Sequence, residues 1–298
     1  AAERRSAEAE ATKVYTGFVG DPEVTTRVAQ ALLGPERMDR VTGCQSTGGT
    51  GALYVLGRLA AEARPGARCW MPTPTWINHA SLLGGAGLEM TPYPWLDAAG
   101  RELDFETVAA ALEKVPAGDL VVLHACCHNP SGADPSPAQW ARLAAIASRR
   151  GWIPFFDVAY PGLAIGWEEE LHGLRLMTDA AEEVFSGASG SKSFGRYRDR
   201  AGVALVVSRN ASARAAATAS LALLNRNTIS FPPWRPGEIM RVILQDDALA
   251  ADWQAELGEM RARITGARRA LAHALAARPG GQGWTFVEDQ KGMFSLLG

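Results

Sequence analysis

Trp152-Ile-Pro-Phe-Phe-Asp157 is the stretch on which the reading of this chain turns. It is a short apolar run ending on a carboxylate, and a run of that length without polar alternation marks a strand buried on both faces. Similar runs lie at Cys69 to Met71, Leu120 to Ala125, Val184 to Ser186 and Val203 to Val207. Helix-like stretches such as Gly51 to Ala63 and Pro137 to Ser148 fall between them. Apolar strands alternating with helices predict an α/β fold with a mostly parallel central sheet sandwiched by helices. In such sheets ligands sit beyond the carboxyl ends of the strands. Asp157, Asn129 and Lys192 each fall just after a predicted strand, where a site is expected.

From Asp246 the pattern changes. Leu249, Trp253, Leu257, Met260, Ile264, Leu271 and Leu275 recur at helical spacing, which predicts one long amphipathic helix. Asp246 or Asp247 would cap it, and Pro279-Gly280-Gly281 would end it. Trp284 to Val287 then reads as a strand. The chain accordingly divides into a large domain over 1–255 and, over 256–298, the rest of the long helix with the beginning of a smaller C-terminal α/β domain. It opens without methionine and stops at Ser295-Leu-Leu-Gly298, so the sequence reads as a fragment.

Composition narrows the class. The 298 residues are 47% hydrophobic and 21% charged, as in ordinary globular proteins. A net charge of -2 and the lack of a basic cluster speak against nucleic acid as a partner. No apolar run reaches the length of a membrane span, and no signal peptide is visible. Four cysteines (Cys44, Cys69, Cys126, Cys127) are too few for a disulfide scaffold and fit a reducing, cytoplasmic setting.

The chemistry gathers around Lys192, set in Ser186-Gly-Ala-Ser-Gly-Ser-Lys-Ser-Phe-Gly195. A nucleotide-binding P-loop requires glycine directly before its lysine, whereas Ser191 stands there. A dinucleotide fingerprint fails too, because Gly49-Thr-Gly51 is followed by Ala52, Leu53 and Tyr54 without a third glycine. Thr47-Gly-Gly-Thr-Gly-Ala-Leu53 reads as a turn entering a helix, whose backbone N–H groups and dipole suit a phosphate; alone, such a stretch is more often only a turn. Trp76 follows a strand, where an indole can stack on a planar ring, although with nine tryptophans a core or surface role competes. His124-Ala-Cys-Cys-His128 suggests a metal site, but strand alternation would turn its ligands to opposite faces and no second Cys/His cluster completes a set, so no metal is expected. Lysine in a small-residue turn and aspartate at a strand end are together what a pyridoxal phosphate enzyme needs. The amine forms a Schiff base with the cofactor aldehyde, and the carboxylate keeps the pyridine nitrogen protonated.

Five segments then carry a family resemblance: Gly48-Gly-Thr-Gly-Ala-Leu53, His124-Ala-Cys-Cys-His-Asn-Pro-Ser-Gly132, Asp157-Val-Ala-Tyr-Pro-Gly162, Ser189-Gly-Ser-Lys-Ser-Phe-Gly195 and Lys291-Gly-Met-Phe-Ser295. In this order and spacing, from Tyr15 to Ser295, the chain resembles the aspartate and aromatic aminotransferases, class I of the fold-type-I pyridoxal phosphate enzymes. The resemblance implies transamination between an L-amino acid (aspartate, glutamate or aromatic) and a 2-oxo acid such as 2-oxoglutarate, by a homodimer with shared active sites. It makes Lys192 the Schiff-base lysine and proton shuttle, and Asp157 the partner of the pyridinium with His79 behind it. Tyr160 and Asn129 would bond the phenolic oxygen, and Trp76 would stack on the ring. Gly49, Thr50, Ser189 and Arg200 would hold the phosphate, with Tyr15 reaching it from a neighbouring subunit. Arg226 would meet a dicarboxylate side chain across the interface, as a guanidinium suits; in aromatic-using relatives this arginine can swing away. Trp76 and Asn129 would also border the substrate.

Two departures from the family pattern bear on substrate. Gly190 stands where relatives often carry a larger residue, and Phe231 where asparagine is usual, so added space and apolar surface are expected to favour bulkier substrates. The family's arginine for the substrate α-carboxylate is expected beyond position 298, and the fragment's own activity is expected to be low. The same scaffold also admits another reaction, elimination or decarboxylation, or a non-catalytic cofactor-binding paralogue. Intact Lys192, Asp157, Tyr160 and Arg200 argue against the last.

Overall fold

The computed structural model describes residues 1–278 and 281–297. Seven strands form one sheet: β1 (Val41–Thr47), β2 (Arg68–Thr73), β3 (Glu89–Pro94), β4 (Leu120–His124), β5 (Ile153–Val158), β6 (Val184–Ser189) and β7 (Ala201–Val207). Their order is β1-β7-β6-β5-β4-β2-β3. Neighbours from β3 through β6 are parallel, whereas β7 is antiparallel to both β6 and β1. The mostly parallel sheet expected from the sequence is present, and each of the five predicted strands appears with its ends shifted by at most three residues. β1 and β3, which apolar runs did not reveal, are the two edges of the sheet. An edge strand needs no buried second face and tolerates proline, as Pro92 and Pro94 do in β3.

Alternation along β5 feeds two cores. Phe156 enters one apolar cluster and its neighbour Phe155 the other, both essentially inaccessible to solvent. Each such aromatic contributes about 2–3 kcal/mol through burial. Asp157 is not beyond the strand but within it, its backbone paired in register with His124 of β4 and Gly187 of β6. The helix predicted from Gly51 begins at Gly48 and runs to Ala63, so the Gly/Thr-rich stretch is its first turn. The helix over Pro137–Arg150 has a reciprocal Ser136–Gln139 capping box and stops at Gly151 in the left-handed region, the conformation glycine supplies at a helix end.

The long helix is Asp247–Ala276, capped by Asp246, whose side chain accepts from Leu249 N–H. It runs unbroken past position 255. The strand expected over Trp284 to Val287 is instead part of a 3-10 helix, Gly281–Glu288. No strand among the described residues pairs with this segment. Its apolar groups are satisfied otherwise, with Phe286 and Val287 clustering on Ala272 of the long helix. Pro279 and Gly280, read as the helix stop, lie outside the described residues.

Candidate active site

The parallel strands deliver their carboxyl ends to one edge of the sheet, and the antiparallel β7 delivers its start there. From β2 the chain reaches Trp76, from β4 Asn129, from β5 Asp157 and Tyr160, and from β6 Ser189 and Lys192; Arg200 immediately precedes β7. The helix over Gly48–Ala63 begins at the same edge, after β1. These elements enclose a cavity of about 290 Å³ lined by Gly49, Thr50, Trp76, Asp157, Tyr160, Ser189, Lys192 and Arg200, with Leu53, Ala159, Ser191 and Tyr197.

Lys192 Nζ stands 4.6 Å from the centroid of the Tyr160 ring and has no carboxylate ion-pair partner among the described residues. Burial lowers the proton affinity of this amine and the Arg200 charge lowers it further, against the opposing pull of Asp157. An amine so placed sheds its proton more readily than a solvated lysine. Burial also lifts the Tyr160 phenol well above its ordinary range, with the Asp157 charge adding to it. The Tyr160 hydroxyl accepts from Asn129 Nδ2 at 3.2 Å.

Asp157 lies on the floor of the cavity. Burial alone would raise its pKa, but His79, His124 and Lys192 together bring it below the usual carboxylate value. His79 Nε2 is 3.3 Å from Asp157 Oδ2, an electrostatic contact whose angles fall outside a hydrogen bond. His79 Nδ1 pairs with Thr75 Oγ1 at 2.8 Å. Behind it the rings continue: His79 to His124 at 5.2 Å, His124 to His128 at 4.4 Å, and His128 stacked on Trp95 at 4.7 Å. Burial drives His124 far below the ordinary imidazole value and His128 down to about 3, so both are neutral at physiological pH. β4 ends at His124, and the chain beyond it brings the His128 ring beside His124, whereas Cys126 and Cys127 lie with Glu170 instead. The ligating atoms of His79, His124 and Asp157 come within 4.8 Å of one another.

The opposite end of the cavity is a cradle of small residues. A Cβ on Gly49 would come within 2.9 Å of Ser189 Cβ, and one on Gly48 within 2.4 Å of Arg200 Nη2. Gly48 has φ +72°, and Arg200 itself is left-handed at φ 60°. Arg200 Nη1 donates to Ser191 Oγ and the Tyr197 carbonyl. Gly48, Gly202 (whose Cβ would meet the Gly48 backbone at 2.4 Å) and Ser191 were not singled out from sequence. Only contact between distant segments reveals them.

Tyr15 and Arg226 are elsewhere. Tyr15 is 77% exposed and stacks on Phe231 at 4.4 Å, while Arg226 lies over Phe18 at 5.1 Å and donates to Ser230 Oγ. Neither lines the Lys192 cavity of its own chain. The expectation that Gly190 adds room is corrected as well: a Cβ there would meet Met240 Sδ at 2.5 Å and Ala201 Cβ at 3.0 Å, in packing rather than in the cavity.

A cavity with an amine on its wall, a carboxylate on its floor and an anion cradle at its end fits pyridoxal phosphate. Among the described residues, no donor meets the Asp157 carboxylate within hydrogen-bond geometry, which leaves it an acceptor for a protonated ring nitrogen. The fold and site define a pyridoxal-phosphate-dependent enzyme of fold type I. Residues 1–298 match the family model for aminotransferase class I and II, and the chain belongs to that family. It is 41% identical over 299 residues to an aromatic-amino-acid aminotransferase of Paracoccus denitrificans, covering 100% of this chain and 76% of the relative. To an aspartate aminotransferase of Salmonella typhi it is 38% identical over 301 residues, with 100% and 76% covered. The solved aromatic-amino-acid aminotransferase of Burkholderia pseudomallei, covalently bound to pyridoxal phosphate, superimposes with a TM-score of 0.93 at 35% identity, over 99% of this chain and 75% of that one. The activity is pyridoxal-phosphate-dependent transamination. No helix among the described residues is long and apolar enough to cross a membrane.

Proposed function

We propose that the enzyme transaminates both dicarboxylic and aromatic amino acids against a 2-oxo acid, as a cytoplasmic homodimer whose two sites each draw residues from both subunits. The observation that carries this reading is the separation of Tyr15 and Arg226 from the Lys192 cavity of their own chain. Both are on the surface beside Phe18 and Phe231, placed to serve a second copy. The apolar Val14, Tyr15 and Phe18 side chains of this segment are exposed, and covering them would favour association.

Pyridoxal phosphate, when bound, supplies a sink for the electrons left as the substrate Cα–H bond breaks. The chain's own residues do the rest. Lys192, its proton affinity lowered by burial, would take the proton from the substrate Cα and deliver it to C4′ of the cofactor. Asp157, held ionised chiefly by His79, would keep the ring nitrogen protonated. Tyr160 and Asn129, already bonded to each other, would hold the ring oxygen, and Trp76 would stack on the ring. Arg200, Ser189, Thr50 and the Gly49 backbone would hold the phosphate, joined by Tyr15 of the partner subunit. Arg226 reads a substrate side-chain carboxylate, while the Phe231 surface suits an aromatic ring. Elimination and decarboxylation draw no support from any residue of the site.

The test is the donor profile of Arg226→Leu. Aspartate kcat/KM should fall by about 2–5 kcal/mol of lost charge pairing if the pair is buried in the dimer, with phenylalanine changed far less. Equal loss for both donors would reduce Arg226 to a structural part of the interface, and an unaffected aspartate would remove it from recognition.

A further inference from the structure

Glu170 is 5% exposed and has no cationic partner among the described residues, yet its carboxylate is fully engaged. Oε1 accepts from the backbone N–H groups of Ala164, Ile165 and Gly166 at 2.7–2.9 Å, and Oε2 from Gly162 N–H at 2.9 Å. The backbone curls to aim these donors inward: Gly162 has φ 90° and Gly166 φ 147°, values that side-chain-bearing residues rarely take. Backbone N–H groups converging on one anion make a nest, here filled by the protein's own carboxylate.

The caged loop, residues 161–166, joins the two halves of the site. It starts directly after Tyr160, and Leu163 N–H donates back to the Tyr160 carbonyl. The Pro161 carbonyl accepts from Ser193 Oγ at 2.7 Å, tying the loop to the residue next to Lys192. Arg261 donates to the Gly162 carbonyl from the long helix, and Trp253 Nε1 donates to the Ser193 carbonyl at 2.7 Å. Cys127 Sγ lies 3.8 Å from both Glu170 Oε2 and the Tyr160 carbonyl. The β5 end and the β6 turn are thus braced against each other through one loop, four of whose backbone N–H groups are held by one side chain.

We propose that Glu170 is a positioning residue that fixes the Lys192 amine over the Tyr160 ring by caging the loop between them. This rests on the roles proposed above for Lys192 and Tyr160. Glu170→Gln sharpens the point, because an amide offers one acceptor and one donor where the carboxylate offers two acceptors. Keeping the three bonds at Oε1 turns the NH2 group toward Gly162 N–H, so the bond nearest Pro161 and Tyr160 is the one lost.

The experiment compares wild type, Glu170→Gln and Glu170→Asp as holoenzymes, with Leu143→Ala in the helix core as a control of similar destabilisation. In Glu170→Gln, kcat should fall roughly ten- to hundredfold, the loss expected for a misplaced reacting group, with the amino-donor KM within about threefold. The pH midpoint of the visible band of cofactor bound through Lys192 should move, and Glu170→Asp should restore part of that shift. Amide exchange at Gly162 should quicken in the cofactor-free protein. Leu143→Ala should lower the melting temperature without moving the midpoint. If Glu170→Gln behaves as Leu143→Ala does, Glu170 serves stability alone and the proposal fails. Should Glu170→Gln not fold, Ser193→Ala cuts the same brace at its other end, and an unmoved midpoint there overturns the proposal equally. A wild type without a Lys192-dependent band would instead sink the assignment of Lys192 itself.

Discussion

Replacing Gly48 with alanine should cost the enzyme its grip on cofactor more than its fold. Two separable effects follow from the geometry. First, Gly48 has φ +72°, and an L-residue held in the left-handed region pays about 1–2 kcal/mol. Second, the new Cβ would lie 2.4 Å from Arg200 Nη2 and 2.8 Å from Cζ, closer than real Cβ contacts come, so the guanidinium must move. A charge-assisted hydrogen bond contributes about 1.5–3 kcal/mol. Loss of one such bond to the phosphate should raise the cofactor dissociation constant roughly tenfold to hundredfold. Gly100 supplies the control: its φ is +70° and a Cβ there meets nothing within 4 Å. Gly100→Ala should therefore lower the melting temperature about as much as Gly48→Ala while leaving cofactor affinity at the wild-type value. Titration of the cofactor-free proteins with pyridoxal phosphate, followed by absorbance, measures the affinities, and thermal melts of the same proteins measure the stabilities. Wild-type affinity in Gly48→Ala, or an equal loss in Gly100→Ala, would refute the reasoning that Arg200 is displaced from the phosphate.

Lys192→Ala should abolish turnover and the visible band of the lysine-bound cofactor; a surviving band would move the covalent role to another amine. Asp157→Ala should cut kcat by orders of magnitude with a milder loss of cofactor affinity, since ring protonation matters most as charge develops in the transition state; an unchanged kcat would remove that role. His128, held neutral by burial with its pKa down to about 3, binds a proton in the unfolded chain from about 6.5 downward. Its contribution to stability is intact above that value and is lost as pH falls toward 3. In His128→Asn, unfolding free energy measured against pH should thus decline less steeply over this window, by up to one proton; an unchanged slope would mean that His128 titrates normally in the fold.

Much of this was legible in the sequence for one reason: the central strands are buried on both faces, so their apolar runs are continuous. The edge strands β1 and β3 escaped because one side of an edge meets no neighbouring strand, and polar residues and prolines are tolerated there. Trp284 to Val287 was misread because an apolar run shows burial without saying whether another strand or a helix covers it. Lys192, Asp157, Asn129 and Trp76 come together as their places after predicted strands led one to expect, and Tyr160, Ser189 and Arg200 join them as the family resemblance implied. Gly48, Gly202, Ser191 and Glu170 did not show themselves. Gly48 and Gly202 matter through close approach between segments far apart in the chain, Ser191 through its bond to Arg200, and Glu170 through backbone donors that the loop before it turns inward. Gly190 shows the opposite error, a small residue taken for open space although Met240 fills it.

The antiparallel β7 explains why the amine and the anion anchor can be held so closely together. β6 and β7 pair as neighbours, so the chain leaving β6 through Lys192 must return to the same sheet edge to enter β7, and Arg200 stands at that return. The turn is closed on itself: Gly190 N–H donates to the Ala201 carbonyl, Gly195 N–H to Lys192 and Arg196 N–H to Gly190. A parallel connection would have sent the chain to the far edge and left the two groups on separate elements. The cost is visible in Arg200, a non-glycine residue at φ 60°, a conformation that persists only where surrounding bonds over-determine it. The arrangement also couples the two groups electrically, since the Arg200 charge helps to lower the proton affinity of Lys192. On the role proposed for Arg200, a bound phosphate would offset that charge. Burial would then remain the chief cause lowering the proton affinity of Lys192, which is why Tyr160, whose ring lies 4.6 Å from the amine, matters to its chemistry as well as to its position.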